Sequence, residues 1–199
     1  MPDKEIILVG GGGHCRSCID VIEESGQYKI AGIVERPGTD KSLKILGYSV
    51  IGYDTDLLKL RLKYDNAVIT VGQIQSNRIR LSLFAQLKKL NFNLPVIISP
   101  VAHVSKNAFI DEGSFVMHHA IINAGATIGK NCIINSKCLI EHDVIVKDHS
   151  HISTAAVVNG DCVVGRNCFI GSNATIVNSC NVPDCSFVRA DSLFSKESV

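Results

Sequence analysis

The chain has 199 residues, enough for one compact domain or two small ones with a buried core. Its formal net charge is +1 and 20% of its residues are charged, so the composition suggests neither a nucleic-acid-binding protein nor an acidic disordered tail. No apolar stretch is long enough to span a bilayer, and the first residues do not resemble a signal peptide. We therefore expect a cytoplasmic protein without membrane or nucleic-acid partners.

The first 95 residues alternate apolar strands with amphipathic helices. Strands are predicted at residues 5–9, 30–34, 48–51 and 67–71. Helices are predicted after residue 13, near residues 55–62 and near residues 76–90. The alternation predicts an α/β domain over residues 1–95, a small Rossmann-like parallel sheet with helices on both faces.

A glycine-rich loop, Gly10-Gly11-Gly12-Gly13-His14, follows the first predicted strand. Parallel sheets of this kind bind phosphates and nucleotides at the loop after the first strand. The loop departs from the G-x-G-x-x-G dinucleotide motif because Cys15 stands where its last glycine would fall. Ligand binding and a merely tight turn both stay open on this motif alone.

A six-residue repeat runs through the second half of the chain. From Ile98 to Val188 every sixth residue is aliphatic, sixteen times without exception. The fourth residue after each is small in nearly every repeat, and the third is often Asn, Asp or Gly, which tolerate a left-handed backbone. This period is typical of a parallel β-helix, in which three repeats form one triangular coil. Residues 96–199 are therefore predicted to form about five stacked coils.

The eight cysteines are interpreted through the same repeat. Five of them share its small position, which predicts buried, reduced and unreactive side chains; they are Cys132, Cys138, Cys162, Cys168 and Cys180. Cys15 and Cys18 form a single C-x-x-C in a predicted helix, without the second pair that a zinc site needs. We expect no bound metal, and we regard His149-Ser150-His151 as weak evidence for one.

One histidine of the repeat has the neighbours that acyl transfer needs. His142 stands at a predicted corner beside Asp143, and Gly160 follows three repeats later, directly above it on the next coil. These three residues supply a base, a carboxylate that orients it and a backbone N–H for the developing oxyanion. A solvated surface histidine is the alternative, and it stays open at this point.

Taken together, these segments resemble the NeuD/PglD family of sugar acyltransferases. The resemblance rests on the glycine-histidine loop, the Rossmann-like first half and a hexapeptide second half that contains Ile134-Asn135-Ser136 and Ile140-Glu141-His142-Asp143. It covers nearly the whole chain. It implies a left-handed β-helix and a homotrimeric enzyme of bacterial surface-sugar synthesis that uses acetyl-CoA.

The resemblance also implies roles for residues of the second half. His142 matches the general base, and Asp143 matches the acid that orients it. His151 matches a histidine that contacts the incoming acetyl group, and Gly160 matches a backbone amide that faces the thioester carbonyl. Asn135 lies on the same corner region and is assigned to the sugar substrate.

Further substrate-binding residues are implied in the first half. Gly12, Gly13 and His14 resemble the loop that holds the diphosphate of a nucleotide sugar. Glu35 aligns with an acid near the nucleotide, whereas Arg36 departs from the second acid there. The pocket is completed by two residues further along the chain, Gly72 and Asn77.

The resulting hypothesis is transfer of an acetyl group from acetyl-CoA to the 4-amino group of a nucleotide-linked amino-deoxy sugar. O-acetylation of a sialic or legionaminic acid is the alternative within the same chemistry. A catalytically silent trimeric sugar-binding scaffold is the alternative from another class, because the chain lacks the G-x-P-A-K-like tail with which the family holds coenzyme A. A nucleotidyltransferase is disfavoured because the first half is too small.

Overall fold

The computed structural model describes residues 4–195, which divide into two compact units. The N-terminal unit contains the described chain up to Gly72 together with Arg78–Pro95. The β-helix unit contains Gln73–Asn77 together with the chain from Val96 onward. The sequence predicted a domain boundary between residues 95 and 96. The structure differs in one respect, because it assigns Gln73–Asn77 to the β-helix unit. The separate functions predicted for the two domains stay predictions.

The N-terminal unit is a five-stranded sheet with helices. Its elements are β1 (Glu5–Val9), α1 (Gly13–Ser25), β2 (Lys29–Glu35), β3 (Lys44–Ile45), β4 (Tyr48–Tyr53), a 3-10 turn (Asp54–Asp56), α2 (Leu57–Arg61), β5 (Asn66–Ile69) and α3 (Arg78–Lys89). The strand order is β3-β4-β2-β1-β5, and every pairing is parallel except that of β3 with β4. The predicted α/β parallel sheet is confirmed.

The short antiparallel hairpin β3–β4 was not predicted. Strand β3 has only two residues, too few for a periodic pattern, and its turn passes through Leu46 and Gly47, both at positive φ. A left-handed leucine carries no sequence signal, because leucine seldom adopts that conformation.

The β-helix unit consists of two-residue strands that stack into three parallel faces. The first face comprises β6 (Ile97–Ile98), β9 (Phe115–Val116), β12 (Ile133–Ile134), β15 (His151–Ile152), β18 (Phe169–Ile170) and β21 (Phe187–Val188). The second face comprises β7 (His103–Val104), β10 (Ile121–Ile122), β13 (Leu139–Ile140), β16 (Val157–Val158), β19 (Thr175–Ile176) and β22 (Leu193–Phe194). The third face comprises β8 (Phe109–Ile110), β11 (Thr127–Ile128), β14 (Ile145–Val146), β17 (Val163–Val164) and β20 (Asn181–Val182).

Each strand pairs with the strand three repeats later, as Leu139 pairs with Val157. The predicted left-handed parallel β-helix is confirmed. The repeated aliphatic residue is the second residue of each strand from β6 to β21, and Phe194 takes that place in β22. From Ile122 to Val182 these aliphatic side chains are at most 2% exposed, so they form one continuous core.

The corners of the coils follow the predicted turn chemistry. Every third residue after an inward aliphatic, from Gly113 to Asp191, has φ between 53° and 77°. Asn107, the third residue after Val104, does not have the predicted left-handed backbone. The left-handed turns begin one repeat later, at Gly113. Asn, Asp and Gly are common at these positions because they reach this conformation at little cost.

The cysteines of the repeat point into the prism, as predicted. All five are buried and free. Burial raises the pKa of the Cys138 thiol to about 12, and its S–H donates to the carbonyl oxygens of Ile152 and Ser153. Cys15 and Cys18 are also buried in α1, and burial raises the pKa of Cys15 to about 11. Burial raises the thiol pKa of Cys18, Cys162 and Cys168 as well, so a thiolate is disfavoured at these sites.

Among the helices of the described chain, none is long and apolar enough to cross a membrane.

Candidate active site

His142 occupies the corner of the prism between the second and third faces, in the turn that joins β13 to β14. Asp143 takes the left-handed position of this turn, with φ 59°, and its backbone N–H donates to Ala124 O. This conformation turns the carboxylate back toward the preceding ring. His142 Nδ1 lies 2.9 Å from Oδ2 of Asp143, so the Nδ1–H donates to the carboxylate and Nε2 keeps its lone pair.

The surrounding charges strengthen His142 as a base. The hydrogen bond to Asp143 raises the pKa of His142, and the negative charges of Asp143, Glu141 and Asp161 act in the same direction against a smaller effect of desolvation. Glu141 is itself held by the side-chain amide of Asn123 at 2.9 Å. The imidazole is 61% exposed, so a substrate can reach Nε2.

Gly160 lies at the same corner as His142, on the next coil. The backbone N–H of Asp161 donates to His142 O at 3.1 Å. A Cβ built on Gly160 would lie 2.6 Å from Nε2 of His142, so any larger residue would displace the ring. The structure therefore brings His142, Asp143 and Gly160 together, with the basic nitrogen of the ring beside the glycine backbone.

His151 and Asn135 form a second polar group, on the first face. His151 is the first residue of β15 and is 6% exposed. Its Nδ1 lies 2.6 Å from the carbonyl oxygen of Gln73, and its Nε2 lies 3.2 Å from the amide nitrogen of Asn135. The ring also packs edge-on against Phe169, with 5.2 Å between the ring centroids.

The first face lies opposite the corner of His142 across the triangular prism. Half a coil separates His142 from His151, and half a coil takes the chain from a corner to the opposite face. One chain therefore does not bring His151 and Asn135 to His142, although the resemblance implies a shared site.

The segment Gln73–Asn77 was not recognised as part of this arrangement. The Gln73 side chain is 4% exposed and donates from Nε2 to Cys168 O at 3.2 Å. Asn77 donates from Nδ2 to Oδ1 of Asn167 at 2.7 Å, so its side chain is tied to the β-helix unit. No sequence signal marks Gln73, because its contacts are made with residues 78 and 95 positions further along the chain.

The glycine loop of the N-terminal unit leaves a helix end open. Gly12 is the N-cap of α1 without a side-chain hydrogen bond, and the first turn contains no acidic residue. Nothing lies within 4 Å of a Cβ built on Gly12 or Gly13, so there is space above the N–H groups of this helix start. Such a helix start attracts anions, phosphates among them.

Two further residues shape this loop. Glu35, at the end of β2, accepts the N–H of Gly11 at 2.8 Å and that of Arg36 at 3.1 Å. The carboxylate therefore holds the loop in place, whereas Arg36 is exposed. A Cβ built on Gly72 would lie 3.3 Å from Cβ of His14, so Gly72 permits the close approach of that side chain.

Comparison with known proteins adds independent findings. Residues 5–87 match the family model of the PglD N-terminal domain. A variant of perosamine N-acetyltransferase from Caulobacter crescentus, in complex with CoA and GDP-perosamine, is 27% identical with a TM-score of 0.90, covering 97% of this chain and 89% of that one. The acetyltransferase domain of PglB from Neisseria gonorrhoeae is 28% identical with a TM-score of 0.86, covering 97% and 92%.

The same Neisseria domain in complex with acetyl coenzyme A gives 27% identity and a TM-score of 0.83, covering 94% of this chain and 97% of that one. These likenesses extend over both units of the chain. The resemblance that was inferred from the glycine-histidine loop and the hexapeptide motifs is confirmed.

Proposed function

We propose that this chain, a sugar acetyltransferase of the PglD and NeuD type, moves an acetyl group from acetyl-CoA to the 4-amino group of a nucleotide-linked amino-deoxy sugar. The observation that carries the proposal is His142, whose Nδ1 is engaged by Asp143 while Nε2 stays accessible beside Gly160. The similar proteins that carry CoA, acetyl coenzyme A or GDP-perosamine support this choice of donor and acceptor class.

The chemistry follows from the two nitrogens of His142. An attacking amine must lose a proton as its C–N bond to the thioester carbon forms, and Nε2 of His142 accepts that proton. Asp143 stabilises the imidazolium that results. The C–S bond then breaks, and the proton passes from Nε2 to the departing CoA sulfur.

The carbonyl oxygen gains charge in the same step and needs an N–H donor. The described residues supply no acceptor for the Gly160 N–H, so this group is available to stabilise the oxyanion. The position of Gly160 beside Nε2 of His142 supports its assignment to the acyl donor, because base and oxyanion donor must act on the same carbon.

The acceptor sugar is assigned to the N-terminal unit. Gly12, Gly13 and His14 surround the open start of α1, whose N–H groups suit a diphosphate. Glu35 maintains the loop through Gly11, and Gly72 admits His14. We do not assign Asn77 to this pocket, because its Nδ2 donates a hydrogen bond to Oδ1 of Asn167.

We further propose a homotrimer. The second and third faces flank the corner of His142 and expose apolar side chains: Ile121 (40%), Ile145 (42%) and Phe109 (58%). Large apolar side chains exposed on adjoining faces are typical of an interface. Phe115 and Ile133, which are buried within the single chain, do not contribute to this surface.

A second copy would also complete the site. His142 and the Asn135–His151 pair lie on opposite sides of one prism, so a site that uses both takes them from two chains. Co-expressed His142→Ala and Asn135→Ala chains should then regain part of the activity that each variant alone has lost. Absence of any recovery in mixed trimers would contradict the shared site, and a monomer in light scattering would contradict the trimer.

The reaction is tested by mixing pure protein with acetyl-CoA and a panel of amino-sugar nucleotides, and by measuring the release of free CoA. Release that depends on an amino acceptor supports the proposal, and His142→Ala protein is the control. Release with hydroxyl acceptors alone would establish O-acetylation instead. No release with any acceptor would support the silent scaffold.

We expect this protein in the cytoplasm, where acetyl-CoA is available. Its eight cysteines are free in the structure, which suits a reducing compartment.

A further inference from the structure

Three consecutive hydrogen bonds connect Asn135 and His151 to the backbone. The N–H of Ser136 donates to Oδ1 of Asn135 at 2.8 Å. The Asn135 amide nitrogen lies 3.2 Å from Nε2 of His151, and Nδ1 of His151 lies 2.6 Å from Gln73 O. Because both ends of this chain of hydrogen bonds are backbone groups of known character, the protons between them can be assigned.

The assignment starts from Gln73. A carbonyl oxygen only accepts, so His151 Nδ1 carries a hydrogen. At the other end, the Ser136 N–H fixes which atom of the Asn135 amide is oxygen, and the nitrogen therefore faces His151. An amide nitrogen donates and does not accept, so His151 Nε2 has no hydrogen. The ring is the neutral imidazole protonated on Nδ1.

We propose that His151 is a positioning residue which, as this neutral tautomer, holds Asn135 so that the second amide hydrogen of Asn135 is presented to an oxygen of the bound substrate. The inference rests on the proposed function. The His151 ring is buried and both of its nitrogens are engaged, so neither nitrogen has an N–H left to donate to a ligand. Asn135 is only partly buried, and the described residues supply no partner for its second N–H.

Gln73 is the second positioning residue of this arrangement. Its backbone oxygen determines which His151 nitrogen is protonated, and its side chain anchors that backbone through Nε2 to Cys168 O. Gln73 is 4% exposed, so this anchor is protected from competing water. The carbonyl is thereby held at the prism independently of any ligand.

The tautomer is tested by NMR on trimeric protein labelled with ¹⁵N-histidine, with the His151 signals identified by their loss in His151→Gln. We expect Nδ1 to be protonated and Nε2 to be unprotonated at neutral pH. A proton on Nε2, in the other tautomer or in the imidazolium, would overturn the inference. This measurement needs no activity, so it separates failure of the inference from failure of the proposed reaction.

Asn135→Asp sharpens the test. A carboxylate in place of the amide accepts from the ring, so we expect the His151 Nε2 to become protonated. Asn91→Asp, exposed in the N-terminal unit, is the charge-matched control and should leave the His151 signals unchanged. Unchanged His151 signals in Asn135→Asp would show that the two side chains are not bonded.

The oxygen that Asn135 binds is identified by kinetics. Asn135→Ala should lower kcat roughly 10²-fold with unchanged KM values if the amide meets the thioester oxygen in the transition state. If it binds a sugar hydroxyl, the KM for the sugar should rise instead. Gln73→Leu, which removes the side-chain anchor, should change the same parameter by less. Unchanged kcat and KM in Asn135→Ala would overturn the inference.

Discussion

Two corners of the same prism use the same backbone in opposite ways. One, here called the charge corner, carries alternating signs on successive coils: Glu112, Lys130, Asp148, Arg166 and Asp184. The other, the histidine corner, carries Lys106, Ala124, His142, Gly160 and Asn178 at the equivalent places. The turns are alike, so the side chains alone make the difference.

At the charge corner the carboxylates cap the backbone. Asp148 accepts the N–H of Lys130 at 2.9 Å, and Asp184 accepts the N–H of Arg166 at 2.7 Å. At the histidine corner Gly160 stands where Arg166 stands at the charge corner, and Asn178 replaces the capping aspartate. Under the proposed function, this corner differs from the charge corner in two respects: its N–H groups are left for a ligand, and a base is placed beside them.

The largest expected effect comes from removing the base. His142→Ala should lower kcat by roughly 10²- to 10⁴-fold, the usual contribution of a general base. The KM for acetyl-CoA should change little, because the proposed role of the imidazole is to take a proton from the acceptor amine and not to hold the donor. Steady-state kinetics measure both, and partial recovery at pH about 9 would indicate an amine acceptor that loses its proton to solvent. Full activity in folded His142→Ala protein would refute the site.

Making the histidine corner resemble the charge corner should lower kcat nearly as much as removing the base. Asn178→Asp places a carboxylate where Asp184 stands at the charge corner, so the Gly160 N–H should be capped and lost to the oxyanion. We expect kcat to fall roughly 10²-fold, as when one oxyanion donor is removed. Asn91→Asp, which adds the same charge at an exposed position of the N-terminal unit, should keep its activity. Equal rates for wild type and Asn178→Asp would exclude Gly160 as the donor.

Asp143→Asn weakens the base without removing it. In this variant His142 Nδ1 donates to a neutral amide instead of a carboxylate, so kcat/KM on the pH-independent plateau should fall about tenfold. The base acts when neutral, and Asp143 raises the pKa of His142. Loss of the carboxylate therefore lowers that pKa and moves the acidic limb of the pH–rate profile to lower pH. A limb that stayed in place would show that another group is the base.

The smallest effect on catalysis is expected at the charge corner. Asp148→Ala removes the acceptor of the Lys130 N–H and the partner of Arg166, whose Nε lies 4.0 Å from Asp148. We expect a loss of about 1 kcal/mol of stability, or about 2–4 °C in Tm by thermal unfolding. The kcat should stay at the wild-type value. A large loss of kcat without a change in Tm would mean that the two corners are not functionally distinct.

The sequence predicts the β-helix and its histidine corner well because both depend on regular spacing. A coil of three repeats stacks Gly160 on His142 whatever surrounds them, and the turn position of Asp143 favours a left-handed backbone. The hairpin of β3 with β4 has no such regularity, so it was missed.

The family resemblance named His151 and Asn135 as site residues, but the sequence did not indicate what surrounds them. Only the tertiary structure buries His151 under the Gln73 carbonyl. The physical reason is that stacking in the prism is set by short-range repetition along the chain. The burial of His151 on the first face depends instead on a contact between two residues that lie 78 positions apart. Neither Gln73 nor His151 carries a local sequence pattern that indicates this contact.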